Sequence, residues 1–119
     1  MNKFDLESRT EDLGVEIIIF CRSLNKDLEL RTLSNQLLRS GTSIGANYRE
    51  ANGAASGKDF RNKIYICKKE TKESIYWLKI IEKSSPLYTK GATKLRVECE
   101  ELEKIFGKIT SSLNKKKSA

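Results

Sequence analysis

The sequence predicts an all-α protein, an up-down-up-down antiparallel four-helix bundle. Four segments repeat apolar residues at spacings of three and four, which is the period of an amphipathic helix. Short polar stretches containing glycine, serine or proline separate these segments, and no segment alternates like a strand. Because 119 residues support one core and not two, we expect one domain over residues 1–113 and a basic, flexible tail over residues 114–119.

The first helix is predicted to begin at a capping box, since Ser8 and Glu11 have the spacing at which each satisfies the other's backbone amide. Its inward stripe is then formed by Leu13, Ile17, Phe20 and Leu24. Val15, Ile18 and Ile19 make the same helix apolar on a second side. A helix that is apolar most of the way round is usually covered on several sides, so we expect this of the first helix. It should end at residues 25–27.

The second helix is predicted to start near Thr32 or Ser34 and to run to Ala51. Its middle contains Gly41 and Gly45, each of which costs about 1 kcal/mol relative to alanine in a helix interior. We therefore expect a neighbouring backbone to approach closely there. Four polar residues line the flank of its core stripe: Gln36, Ser43, Asn47 and Glu50. They are either solvated or, as we favour, part of a partly buried hydrogen-bond network.

The third helix, residues 58–83, is the segment around which the chain is organised, because it presents three different faces at helical spacing. Its core face comprises Phe60, Ile64, Cys67, Thr71, Ser74, Ile75 and Leu78. Its basic face comprises Lys58, Arg61, Tyr65, Lys68, Lys72, Tyr76, Lys79 and Lys83. Its second apolar face comprises Ile66, Glu70, Glu73, Trp77 and Ile80. A monomer needs only one apolar stripe, so the second one predicts a contact with another subunit.

Each of the two outer faces has a simpler interpretation. The basic face can bind phosphates while Tyr65 and Tyr76 stack on bases. Alternatively, it is a solvated lysine face on which the tyrosines pack along the aliphatic parts of the lysine side chains. Glu70 and Glu73 can bind basic groups of a neighbouring subunit, or they can simply be solvated. Trp77 lies about 100° from the core face, which favours an intersubunit contact over burial in its own bundle.

The fourth helix has the most regular pattern of the chain and follows a turn at residues 84–91. Its apolar residues alternate steps of three and four: Ala92, Leu95, Cys99, Leu102, Phe106, Ile109 and Leu113. Its other faces are charged, and Lys115, Lys116 and Lys117 lie in the predicted tail.

Charge and cysteine content restrict the classes of partner and compartment. The net charge is +7 and the basic excess lies in the second half of the chain, which favours a polyanionic partner such as RNA or DNA. The alternative, of equal weight, is a surface that is basic only for solubility. Cys21, Cys67 and Cys99 are odd in number and scattered, as expected for buried free thiols in a reducing compartment. No apolar run approaches the roughly 20 residues that cross a bilayer, and the N-terminus lacks a signal peptide. We expect a cytoplasmic protein without a membrane partner.

The sequence argues against an enzyme. It contains no histidine, the commonest general base and metal ligand. Glu70 and Glu73 have the spacing of a di-iron bundle but lack the imidazole that such a site uses. The glycine pairs do not lie in a phosphate loop. We expect no catalytic residues, cofactor, metal or small-molecule substrate.

Two motifs connect the chain with a known family: Ser43–Glu50 reads SxxxNYxE and Lys69–Leu78 reads KExxExxYWL. Over about residues 12–113 the sequence resembles the small bacterial four-helix proteins encoded in intervening sequences of 23S rRNA genes. The resemblance implies a homo-pentameric barrel. It also implies kinship to the accessory variability determinant of diversity-generating retroelements, a pentamer that binds a reverse transcriptase and nucleic acid. The family's recurrent polar and aromatic positions coincide here with Ser43, Asn47, Glu50, Glu70, Glu73 and Trp77.

The sequence thus predicts a non-catalytic, cytoplasmic homo-oligomer that binds RNA or DNA through the basic face and the lysines at 115–117. The alternative is an adaptor that docks on a reverse transcriptase. Genomic neighbourhood separates the two, because a gene beside a reverse transcriptase favours the adaptor.

Overall fold

Four helices account for most of the chain in a computed structural model, which describes residues 1–24 and 27–118, with side chains through residue 115. The helices are α1 (Lys3–Ser23), α2 (Leu28–Asn52), α3 (Gly57–Ser84) and α4 (Thr89–Ser118). A short 3₁₀ turn, Pro86–Tyr88, precedes α4, and no strand occurs in the described residues. The chain is therefore all-α, as predicted.

Side-chain caps start α1 and α3. The Asn2 side chain accepts a hydrogen bond from the Asp5 amide at 2.9 Å, and Asp5 returns one to the Asn2 amide. This is a capping box six residues before the predicted one, so Ser8 lies inside α1 and the prediction was wrong. In the sequence Ser56 lies three residues before Asp59, a spacing that predicts an N-cap, and it caps α3 by accepting from the Asp59 amide at 3.1 Å.

The second helix also begins earlier than predicted. Asp27 is its N-cap residue, so Thr32 and Ser34 lie inside the helix. The turn predicted at residues 25–27 falls partly on two residues outside the described part of the chain. The end of α4 differs as well, because the helix continues to Ser118 and includes most of the predicted tail. Whether that tail is flexible stays a prediction.

The predicted apolar stripes meet in one core. The largest fully buried apolar side chains come from all four helices: Leu13, Ile17, Leu24, Leu37, Ile44, Ile64, Leu78, Ile81, Leu102 and Phe106. Phe20, Phe60 and Ile109 pack against this core while partly exposed. The domain is elongated, with extents of 51 × 22 × 22 Å.

Specific contacts join each helix to the next. The Asn52 amide donates to Glu7 at 2.8 Å between α2 and α1, and Ser34 Oγ donates to the Cys21 carbonyl at 3.4 Å. Between α2 and α3, Ser40 and Ser74 share a buried hydrogen bond of 2.8 Å. The two contacts between α1 and α2 lie towards opposite ends of that pair, and the contact between α2 and α3 is buried between those two helices.

The contact between α3 and α4 is anchored by a part-buried ion cluster. Arg96 of α4 donates two hydrogen bonds to Glu82 of α3, at 2.9 and 3.0 Å, and Thr93 donates to the same carboxylate. Hydrogen bonding from Arg96 is the main reason that the pKa of Glu82 lies below its ordinary value.

The edge between α1 and α4 has the fewest contacts in the bundle. Arg9 forms a two-bond ion pair with Glu98, both bonds measuring 2.7 Å. Further along, a methyl group added at Gly91 would lie 2.9 Å from the Phe20 ring. Between these contacts a cleft of about 400 Å³ remains, so α1 is covered mainly by α2.

Glycines on α2 let α1 approach closely, as the sequence predicted. A methyl group at Gly41 would overlap Ile17, and one at Gly45 would lie 3.3 Å from the Thr10 carbonyl oxygen. The close neighbour is therefore the Ile17 side chain at the first glycine, whereas at the second it is Thr10, through both its hydroxyl at 3.2 Å and its backbone carbonyl.

Candidate nucleic-acid and subunit interfaces

The basic face of α3 lies on the outside of the bundle. Lys58, Tyr65, Lys72, Tyr76 and Lys79 are exposed, and Arg61 and Lys68 are partly exposed. Within residues 1–24 and 27–115, no cation of this face forms an ion pair. Its positive charge is therefore available to a ligand. Lys115 is exposed on α4, whereas the side chains of Lys116 and Lys117 lie outside the described residues.

Helix α4 adds basic residues that the sequence did not single out. A cleft of about 690 Å³ between α3 and α4 is lined by Lys68, Lys104, Lys108 and Lys115, together with Gly107 and Glu101. We call it the α3–α4 cleft. Lys104 and Lys108 fall outside the apolar stripe of α4, and this spacing was the signal that could have identified them. The basic surface thus extends from one helix to two.

Both tyrosines of the basic face are exposed and contact a neighbouring side chain. Tyr65 is 41% exposed, and its hydroxyl accepts a hydrogen bond of 3.1 Å from the Asn114 amide on α4. Tyr76 is 56% exposed and packs edge-on against Trp77, with ring centroids 5.1 Å apart. Because each tyrosine is both exposed and held by a neighbour, its ring can stack on a planar ligand at little further entropic cost.

The second apolar face contains a charged centre that its own bundle neutralises. Arg39 of α2 donates to Glu70 at 3.2 Å and also pairs with Glu73. Glu70 is only 8% exposed, and hydrogen bonding from Arg39 is the main cause that lowers the pKa of Glu73. The basic partner of the two glutamates is thus Arg39 of the same chain, 31 residues from Glu70 and 34 from Glu73. A contact with a neighbouring subunit is not required to neutralise them.

The other members of this face are partly exposed. Ile66, Trp77 and Ile80 are intermediate in burial, and Trp77 also packs against the core of its own bundle. Its indole Nε1–H is shielded from solvent and contributes to the low pKa of Glu73, yet it forms no hydrogen bond of ordinary geometry with any described residue.

The most exposed apolar side chains lie elsewhere, on α1. Val15 is 51% exposed and Ile19 59%, with Ile18 between them at 36%. The prediction that α1 is covered on several sides is therefore wrong within one chain. Val15 and Ile18 border a shallow cleft with Thr42 and Gly45 of α2, so α1 and α2 together form an uncovered apolar surface.

The four polar residues on the flank of α2 do not form one network. The Ser43 hydroxyl donates to the Arg39 carbonyl and the Asn47 amide donates to the Ser43 carbonyl, both one turn earlier in the same helix. Glu50 pairs with Lys63 at 3.4 Å, and Gln36 is exposed. These contacts are local and mostly solvated. They fit the interpretation that the four residues are solvated, and not the partly buried hydrogen-bond network.

The described residues contain no cluster that resembles a metal centre. No group of three or more metal-ligating side chains occurs among them. The three thiols are free and buried, and burial raises the pKa of Cys67 and of Cys99 to about 12. In the same residues no helix is both long and apolar enough to cross a membrane.

Fold and surfaces define a four-helix protein with one basic and one apolar exterior surface. A model of the 23S rRNA-intervening sequence protein family matches residues 2–108, and the chain belongs to this family. It is also similar to a solved structure from Bacteroides thetaiotaomicron, a protein of unknown function from the S23 ribosomal protein family. The two share 32% identity with a TM-score of 0.85, covering 93% of this chain and 99% of the other. No curated protein matches the chain.

Proposed function

We propose that the protein is a non-catalytic, cytoplasmic nucleic-acid-binding module whose ligand lies along the basic face of α3 and the α3–α4 cleft. The observation that carries this proposal is a row of cations without ion pairs on α3, continued by lysines on α4. Such a surface binds phosphates through counterion release, which is strong at low salt and weakly selective for sequence. The family name refers to rRNA, and RNA is the ligand that we favour.

The composition of the same row supports a ligand site over a surface that is merely solvated. Where solubility alone is served, cations and acids are interspersed, as in the ion pairs of Arg49 with Glu11 and of Lys63 with Glu50. The eight positions of the basic face include no acid, whereas three acids of the same helix lie on its other sides: Glu70, Glu73 and Glu82. Segregation of one charge sign is expected of a surface that attracts a polyanion.

We further propose an up-down-up-down bundle that assembles into a homo-oligomer, a pentamer by family resemblance. In support of this order, contacts between consecutive helices pair early residues with late ones, such as Glu7 with Asn52 and Tyr65 with Asn114. An uncovered apolar surface at Val15 and Ile19 supports assembly, because a soluble monomer leaves few such patches without a partner. Burial of α1 against a second copy would leave the basic face outward.

Charge reversal at the centre of the basic face tests the binding proposal. In K68E/K72E two cations become acids, and net charge falls from +7 to about +3. The matched control R22E/R31E makes the same change in charge at the exposed junction of α1 and α2. We expect K68E/K72E to weaken binding to a fluorescent RNA at least tenfold and R22E/R31E to weaken it much less. Equal losses in both variants would show that only net charge matters and would contradict the site.

An adaptor function is the second candidate, favoured by the same apolar surface on α1. In that case a larger enzyme, and not a second copy, covers Val15 and Ile19. A monomer in solution that binds no nucleic acid is the result that would favour the adaptor.

A further inference from the structure

Helix α3 carries the same pattern of tyrosine and cations twice, with the second copy displaced by 11 residues. The equivalent pairs are Arg61 and Lys72, Tyr65 and Tyr76, and Lys68 and Lys79. We call residues 61, 65 and 68 the first unit and residues 72, 76 and 79 the second unit. Lys83 begins a third copy at the end of the helix.

An 11-residue displacement preserves the direction in which side chains point. Eleven residues correspond to three helical turns with a remainder of about 20°, and to a rise of about 16.5 Å. The core face follows the same displacement, since Ile64 and Cys67 recur as Ile75 and Leu78, all of them buried. The two units therefore lie one above the other on the same side of the bundle.

The two units have similar surroundings in the structure. Each has a tyrosine at least two-fifths exposed that a neighbouring side chain contacts, Asn114 through the tyrosine hydroxyl in the first unit and Trp77 through a T-shaped ring contact in the second. In each unit the cations flank the ring one turn before and one turn after it, without an ion pair to any described residue. The first unit also adjoins the lysines of the α3–α4 cleft through Lys68.

We propose that each unit binds one unpaired base, which stacks on the tyrosine while the flanking cations contact the phosphates on either side. This inference rests on the nucleic-acid-binding function proposed above and specifies the ligand as a single strand. A ring can stack only on the face of a base that is not enclosed in a duplex. Duplex phosphates would reach the cations but would leave both rings without a partner.

The spacing of the units sets the length of the ligand. At about 3.4 Å per nucleotide in a stacked strand, a rise of about 16.5 Å corresponds to about five nucleotides. A strand of about ten nucleotides therefore spans both units with the flanking phosphates, whereas one of about four nucleotides reaches a single unit. Unpaired RNA loops and single-stranded tails are the chemical class that fits.

Stacking is tested by replacing the rings without changing charge. Y65L/Y76L removes both aromatic faces but keeps apolar side chains at two exposed positions, and Y65F/Y76F keeps the faces and removes only the hydroxyls. For a ten-nucleotide single strand followed by fluorescence anisotropy, we expect the leucine variant to bind at least 25-fold more weakly, since stacking contributes at least about fivefold per base. The phenylalanine variant should stay within about twofold of the unaltered protein, and duplex binding should be the same in all three.

Tryptophan fluorescence gives a second readout, which shows whether a base stacks at the second unit. Trp77 is the only tryptophan and contacts Tyr76, so base stacking on the second unit should change its emission. We expect Y65L to retain this change and Y76L to lose it.

The double variant Y65L/Y76L decides the proposal. If it binds the single strand as tightly as the unaltered protein, or if duplex and single strand bind equally, the stacking units are wrong while salt-dependent binding by the basic face still stands. If the unaltered protein binds neither ligand, both proposals are overturned.

Discussion

Gly41 of α2 faces Ile17 of α1 so closely that a β-carbon at position 41 would overlap the isoleucine side chain. Both positions are buried, and Ile17 is fully enclosed by the core. The gap that glycine leaves therefore determines how near the first two helices can lie.

Substitution of this glycine tests the close approach. G41A gains about 1 kcal/mol of helix propensity but forces Ile17 out of its position, and overpacking costs about 1–3 kcal/mol. We expect a net loss of free energy of unfolding, measured by urea denaturation. The control G107A lies in α4, where a methyl group meets nothing within 4 Å, so it should be neutral or stabilising by up to about 1 kcal/mol. Stabilisation by G41A would contradict the packing of α1 on α2.

Arg39 is expected to be the most important exposed cation for stability. R39M leaves Glu70 and Glu73 without a counterion, and Glu70 is almost fully buried. An unpaired buried carboxylate is costly, so we expect the free energy of unfolding at pH 7 to fall by about 1–3 kcal/mol. R49M, which breaks an exposed pair with Glu11, should change it by less than about 1 kcal/mol. Similar effects of both substitutions would argue against the Arg39 centre.

This centre also predicts acid sensitivity. The pKa of Glu73 is lowered in the native state, so its contribution to stability is present above the ordinary carboxyl range and is lost as the pH falls through the native pKa. In R39M the acid-induced decrease in stability should be smaller than in the unaltered protein. A pH–stability profile of both proteins between pH 2 and pH 6, at about one point per half unit, measures the difference.

The buried thiols should be inert until the protein unfolds. Burial raises the pKa of Cys67 and of Cys99 from 9.0 to about 12, so their stabilising contribution is complete below pH 9 and decreases as the pH rises towards 12. At pH 8 a thiol reagent should modify both residues at the rate of unfolding, because almost no native thiolate exists. Rapid modification of all three cysteines in the native protein would show that the core is not closed.

Assembly is expected to depend on the apolar surface of α1. The solution mass should be at least twice the 13.6 kDa of one chain, and I19E should reduce it to that of one chain. L87E changes an even more exposed leucine, in the turn before α4, and should leave the mass unchanged. A single-chain mass for the unaltered protein at high concentration would overturn the oligomer.

The spacing of apolar residues predicted the helices and the core well, because the residues of a buried helical stripe recur every three or four positions in the sequence. The stripe of α4 and the core face of α3 are buried almost as predicted, and Ser56 caps α3 as its spacing indicated. The start of α1 was missed because Asn2 and Asp5 satisfy the first amides before Ser8 and Glu11 are reached. Local spacing identifies possible caps but does not decide which one begins the helix.

The surfaces were less predictable, since they depend on which helices pack together. Nothing in the sequence relates Arg39 to Glu70, which become neighbours only when α2 packs on α3. Likewise, the apolar outer side of α1 is exposed because α4 touches α1 at few points. A basic face, in contrast, remains on the surface in almost any packing, and it is where the prediction placed it.

The salt dependence of RNA binding tests the central claim most directly. If Lys58, Arg61, Lys68, Lys72 and Lys79 each neutralise one phosphate of a single strand, the logarithm of the binding constant should fall with the logarithm of salt concentration at a slope of about −3.5. K68E/K72E should reduce the magnitude of this slope by about 1.4 or more. A slope near zero, or a slope that the double substitution leaves unchanged, would contradict binding through the basic face.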